Sequence, residues 1–287
     1  MNDLKRRMLN GILILIMIMM VTPILYVFLN SFAGKLQIED YVIKATQEEG
    51  VGQNMFKKEY VKMKFIPDKV TLKQYYETII EDRSYMVYFW NSVKLIVPIV
   101  FFNTIVSVLG GFAFAKMKFP YKNRIFLLYV LIMLMPYQAT LVPNFIIAKI
   151  FGIHNNFLGI ILPAIFNPFG VFLMRQFINY IPDSCIESAR VEGAGDMKIL
   201  KDIIIPMSKN GIIALIILTS IEAWNMVEQP LIYLTSQKQY PLSIMLTYIE
   251  NDTNIFAMAT IFMLPMIFLF LKGASQFVEG IEYTQLK

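Results

Sequence analysis

The chain reads as an all-α membrane protein with six transmembrane helices and one extended extracytoplasmic loop. Three observations predict that class. Its composition, 56% hydrophobic with only 16% of residues charged and a mean hydropathy of +0.55, departs from that of soluble domains. Its apolar residues come in long runs, and a spanning helix needs about 20 of them. Among its short segments, basic residues gather at the N-terminus and in the loop after the second span, the asymmetry of segments held on the cytoplasmic side. The long 33–88 loop is basic too, but of a length that translocates regardless of charge.

The first span follows Lys5, Arg6 and Arg7 and covers about residues 9–29. A signal peptide is the alternative, with Ser31-Phe32-Ala33 as a small-x-small site. The apolar run is long for one, and further spans follow. Residues 33–88 form the long hydrophilic segment, with a Gly- and Lys-containing middle from Glu48 to Lys64 and a short helix near Leu72–Glu81. Further spans fall at about 90–115, 125–147, 157–178, 211–234 and 255–271. Prolines punctuate them, Met135-Pro136-Tyr137-Gln138 near the middle of the third most of all. A proline and an amide there point to an irregular helix along a polar path, since such breaks need a neighbour or cavity water to satisfy freed carbonyls.

Orientation follows from the short loops. Lys5, Arg6, Arg7, Lys116, Lys118, Lys122 and Arg124 mark cytoplasmic segments, while Phe151–Asn156 and Gln237–Asn254 carry few basic residues. Six spans from a cytoplasmic N-terminus return the 181–206 loop and the C-terminal tail to the cytoplasm.

That loop, IPDSCIESARVEGAGDMKILKDIIIP, is a charged island between apolar spans. Pro182 blocks continuation of the preceding helix, and Ser184 with Glu187 spells a capping box. Gly193-Ala194-Gly195 joins a second short helix, which places Met197, Leu200 and Ile204 on one stripe before Pro206. Small Ser188, Ala189 and Ala194 leave a thin face for another protein. By helix spacing alone, an amphipathic connector on the headgroups fits as well.

The fifth span carries ionisable residues at depth. Glu222, Asn225 and Gln229 stand at i, i+3 and i+7 and share a face of a continuous helix, with Glu228 a little to one side. At ~1.5 Å per residue from Gly211, Glu222 lies roughly 16 Å into the membrane. Such residues face a cavity or a partner; hydrogen bonds to a neighbouring helix or sister subunit are the structural alternative. In a cavity, carboxylate, amide and Trp224 suit a polyhydroxyl ligand through hydrogen bonds and a stacking face. Gln138 joins them as a candidate on the solute path.

Other chemistry finds little support. His154 is the sole histidine and has no Cys/His cluster around it, so no metal site is expected. Cys185, the single cysteine, forbids an internal disulfide. No Gly-rich loop ending in Gly-Lys-Ser/Thr binds nucleotide phosphates, and no catalytic set assembles on one membrane side. The net charge of +5 reads as topology rather than nucleic-acid affinity.

Glu187-Ser188-Ala189, Gly193 after three further residues, and the Ile-Ile-Pro end at Pro206 resemble the cytoplasmic EAA loop of binding-protein-dependent ABC importer permeases. Ser188 stands where a second Ala is usual, and Glu192 where Asp is common. Asn91-Ser92, Ala113-Phe114-Ala115, Phe119-Pro120, Leu141-Val142-Pro143, Phe172 to Phe177, Trp224-Asn225, Pro230-Leu231 and Phe277 to Gly280 extend the resemblance to the carbohydrate-uptake branch, in particular the second permease of maltose-type systems.

The resemblance implies a type I ABC importer permease fold and a multi-pass location in the bacterial cytoplasmic membrane. It implies a second permease subunit, a cytoplasmic ABC ATPase dimer that alone binds ATP and Mg, and an external solute-binding lipoprotein that delivers a sugar. Ser184, Glu187, Ser188, Ala189, Glu192, Gly193 and Ala194 would form the coupling helix against the ATPase, and this chain would do no chemistry. The 33–88 loop is longer than the compact family version. A non-sugar solute such as a peptide or polyamine, or a stand-alone secondary transporter, remains the alternative reading.

Overall fold

The computed structural model describes residues 3–39, 64–248 and 253–285. The Gly- and Lys-containing middle of the long loop lies outside them, except for Lys64, as do residues 249–252. The described residues are almost wholly helical, with a single isolated antiparallel bridge between Ala33 and Val70.

Four helical stretches are long and apolar enough to cross a membrane, Arg7–Asn30, Arg83–Lys116, Phe157–Asn179 and Ile255–Glu279. Two bent pairs raise the number to six if each is one span. Read as one domain from sequence, the chain falls into two compact units, Met1–Val87 with Met245–Leu264, and Tyr88–Ile244 with Pro265–Lys287.

In the first unit, α1 (Asp3–Asn30) buries none of its apolar window. A helix apolar all round and exposed all round requires lipid or a partner as solvent. Its end is fastened by polar contacts. The Gln74 amide, 2% exposed, donates to the carbonyls of Asn30 and Ala33, both at 2.9 Å, and its oxygen accepts from the Ala257 N–H at 3.3 Å. Ser31 and Tyr75 share a hydroxyl–hydroxyl bond of 2.7 Å. The short helix expected near Leu72–Glu81 begins as Lys73–Tyr76 and widens into a π-turn over Glu77–Glu81.

In the second unit, α2 (Arg83–Lys116) starts earlier than the span expected at about 90. Asn91 donates to the carbonyls of Lys238 and Tyr240 at 2.8 and 3.1 Å, and Ser92 accepts from the Leu242 N–H at 2.8 Å. The Asn-Ser pair thus ties the start of the span to a loop about 150 residues away in sequence.

The third span divides into α3 (Lys122–Met133) and α4 (Tyr137–Ile150), which meet at 100°. Pro136 has no N–H and holds an extended ψ of 132° at the α4 N-cap. The fourth divides into α5 (Phe157–Ile165) and α6 (Pro168–Asn179). Asn167 caps α6 by accepting from the Phe169 N–H at 3.0 Å, and Pro168 stands at its first position.

Next come α7 (Asp183–Val191) and α8 (Asp196–Met207), then α9 (Lys209–Trp224), bent 77° from α8. The fifth span is not continuous to residue 234: α9 stops at Trp224, and a separate α10 covers Glu228–Tyr233. After α11 (Leu242–Thr247), α12 runs over Ile255–Gln285, well beyond the expected end at 271.

The core of this unit lies where the 181–206 loop meets the helices. Val108 and Phe112 of α2, Met174 and Ile178 of α6, Ile186 of α7, Ile199, Leu200 and Ile204 of α8, and Leu215 of α9 form one buried cluster. At ~25 cal/mol per Å² of buried apolar surface, this packing outweighs any single polar contact in the loop. Nearby, Arg175 lies 3.8 Å from the centre of the Phe126 ring, a cation–π contact between α6 and α3.

Candidate functional site

Two regions hold the residues singled out by sequence. The first is the loop of α7 and α8. Its capping box does not form. The helix starts at Asp183 with Pro182 as N-cap, and no side chain caps it. Pro182 pre-sets φ at −59°, so the helix begins a residue early and Ser184 falls inside it, where its carbonyl accepts from the Ser188 hydroxyl at 2.9 Å. Asp183 serves the first turn instead. Its carboxylate meets the Lys116 ammonium at 2.7 Å, which holds its pKa below the usual carboxylate value.

The thin face expected at Ala189 and Ala194 turns inward, because both pack against the core beside Ile186. Glu187, Ser188, Glu192 and Gly193 stay exposed, joined by Val191 at 90% and Met197 at 73% exposure. Met197 therefore leaves the stripe predicted with Leu200 and Ile204. The π-turn over Leu200–Ile204 shifts the helical phase, so that Ile199, Leu200 and Ile204 face the core. Gly193 turns the chain at φ +83°, its N–H bonded to the Arg190 carbonyl. Arg190 closes the turn on Asp196 at 3.0 Å.

The second region is a cavity of about 390 Å³ in the second unit, within the roughly 300–1,000 Å³ range of small-molecule sites. Three of the helix breaks contribute to it: Met133, Met135 and Tyr137 at the α3–α4 break, Ala164, Phe166 and Asn167 at the α5–α6 break, Met226 and Gln229 at the α9–α10 break. Glu222 lines it and accepts from the Asn167 amide at 3.4 Å. Gln229 and Tyr137 line it too.

Of the six candidates, Glu222 and Gln229 thus reach the cavity, though not by sharing a helical face, since α9 ends between them. Gln138 and Glu228 bond to each other at 3.5 Å outside the lining. Asn225 turns back on α9, donating to the Ile221 carbonyl at 2.8 Å. Trp224 is buried at 3% exposure, its ring 5.9 Å from Phe89, so it offers no stacking face to the cavity. A large apolar side chain at a helix end gains more from burial than from exposure in a wet cavity.

Sequence reasoning missed Asn103, Tyr137, Asn144 and Asn167. Asn144 lines the cavity, and Asn167 does so from the end of the α5–α6 break. Asn103 of α2 is fully buried and donates to the carbonyls of Ile165 and Ala164 at 2.9 and 3.4 Å, while accepting from Thr219 at 3.3 Å. It satisfies the carbonyls that the break frees. The signal for the break was present: Asn-Pro inside an apolar run is a helix start.

Fold and site together define a multi-pass membrane protein with a cavity framed by broken helices and, in the same unit, a packed, charged loop. The model of the family described as "Binding-protein-dependent transport system inner membrane component" matches residues 85–273, and the chain belongs to that family of ABC transport permeases.

Among similar proteins are two arabinooligosaccharides transport system permeases, from Halalkalibacterium halodurans (28% identical, covering 78% of this chain and 82% of the relative) and from Bacillus subtilis (30%, 71% and 74%). The glucose import system permease of Saccharolobus solfataricus is 29% identical, over 75% of this chain and 79% of its own. A solved bacterial ABC transporter involved in import of the acidic polysaccharide alginate has a chain with the same fold, at TM-score 0.76 and 20% identity over 96% of this chain and 97% of that one.

Proposed function

We propose that this chain is one of two permease subunits of an ATP-driven importer that passes a sugar or oligosaccharide from an external binding protein across the bacterial cytoplasmic membrane. The observation that carries this reading is the loop at Ser184–Ala194, anchored on an apolar core from within and exposing Glu187, Ser188, Val191, Glu192 and Met197 outward. An exposed face on a rigid base suits transmission of force to a docked subunit. ATP and Mg are bound by the partner ATPase dimer, and this chain does no chemistry.

In this reading both termini and the 181–206 loop are cytoplasmic, with the 33–88 loop outside. The cavity, with Glu222, Asn167, Gln229 and Tyr137 among its lining, is part of the solute path. The transport of arabinooligosaccharides and glucose by similar proteins supports a sugar cargo.

Tagging the chain in its native host, extracting membranes gently and identifying what co-purifies tests the reading. An ABC ATPase, a second six-span permease and a solute-binding lipoprotein are expected. Recovery of this chain alone, still moving solute in liposomes, would overturn it in favour of a secondary transporter.

A further inference from the structure

We propose that the cavity selects against anionic solutes and passes uncharged polyhydroxyl ones, with Glu222 as the selecting group. The inference rests on the reading of the cavity as part of the solute path. Glu222 is the one charged side chain among the described lining residues, which include no Lys, Arg or His. A second carboxylate, Glu228, stands just behind the lining on Gln138.

Three donor groups of the lining are already committed. The Asn167 amide donates to Glu222. The Thr140 hydroxyl donates to the Tyr137 carbonyl at 2.8 Å, and Thr219 donates to Asn103. The acceptors of the lining include the Glu222 carboxylate, set among the apolar faces of Met133, Met135 and Phe166.

Hydroxyl groups of a neutral sugar donate to such acceptors. A phosphate or uronate brings acceptors of its own and a charge that leaves water without a partner, while Glu222 repels it through a medium of low dielectric. Specificity here is a difference between solutes, built by an element that penalises the wrong one.

The test uses the intact complex, with its partner permease and ATPase, in nanodiscs. Equilibrium binding of maltotriose and of trigalacturonate is measured for wild type and for Glu222→Gln. Wild type is expected to prefer maltotriose by about tenfold or more, and Glu222→Gln to shrink that ratio several-fold, chiefly by gaining trigalacturonate.

Equal binding of the two probes to wild type, or an unchanged ratio in Glu222→Gln, would overturn the selection and leave the solute path standing. Binding of neither probe to an assembled, ATP-hydrolysing complex would overturn the path itself. If Glu222→Gln fails to assemble, Asn144→Lys decides: a cation in the lining should shrink the ratio several-fold, and an unchanged or wider one refutes the proposal.

Discussion

The Lys116 ammonium lies 2.7 Å from the Asp183 carboxylate and 2.6 Å from the Ile181 carbonyl, so the last residue of α2 holds the first residue of α7. The Lys116 side chain is 7% exposed and that of Asp183 76%, so one partner is fixed by packing and the other reaches it from the surface. The contact fastens the charged loop to the long second span.

Replacing Lys116 by Met should loosen α7, because the Ile181 carbonyl loses its donor; an unsatisfied buried acceptor costs about 1–3 kcal/mol. The Asp183 half of the pair carries a pH signature. Its pKa is depressed by the Lys116 hydrogen bond, so its contribution is complete above the unfolded carboxylate value of about 3.9 and is lost as pH falls through the lower folded value. Hydrogen exchange of α7 amides should therefore separate wild type from Asp183→Asn at pH 7, with the gap closing only below about 3.9. A gap that is the same at both ends would refute the pairing.

Gly193 holds φ +83° with open space where a Cβ would stand, so the cost of substitution there is conformational rather than steric. A β-branched residue at positive φ is a strong outlier, whereas Asn tolerates the region. Gly193→Val is expected to abolish uptake while the chain still inserts, and Gly193→Asn to retain most of it. ATPase assays on the purified complex should then find hydrolysis without transport in the Val variant. Wild-type transport by Gly193→Val would remove the turn from the coupling mechanism.

Gly111 lets α2 approach α6. A Cβ there would meet the Met174 Cβ at 2.6 Å and the Arg175 backbone nitrogen at 2.9 Å, neither of which can swing away. Gly111→Ala should destabilise the protein by about 1–3 kcal/mol, the usual cost of overpacking. Thermal unfolding in detergent, read by aggregation onset, would detect it. An unchanged onset would mean the two helices can part at little cost.

Asn103→Leu leaves the carbonyls of Ala164 and Ile165 and the Thr219 hydroxyl without their partner at the wall of the cavity. A loss of about 1–3 kcal/mol in stability is expected from the stranded groups. Uptake should fall further than in Asn103→Ser, which keeps a donor and leaves room for water. Equal uptake in the two variants would show that the break holds without this amide.

Membrane class, the number of apolar segments and the family-like loop were legible in the amino-acid sequence, because hydropathy and residue order report them directly. Pro136 marked its break, since a missing N–H acts wherever the chain goes. The break after Ile165 was written in Asn167-Pro168 but hidden inside a run that hydropathy reads as one span. The direction of α7 was not legible. Ala189 and Ala194 are small enough for either a docking face or a core contact, and the packing of Ile186 beside them settled it inward.

The sequence alone thus determined that the chain lives in a bilayer, that it carries a charged loop between apolar spans, and that Glu222 is a costly residue within a span. Tertiary structure decided that the fifth span ends at Trp224, that Trp224 packs on Phe89, and that residues from Ile99 to Tyr233 close around one cavity. The reason is physical. Burial of apolar area and the N–H missing from proline are local properties that any window of sequence reports. The partner of a freed carbonyl, such as Asn103 for Ile165 about 60 residues away, exists only once the helices have packed.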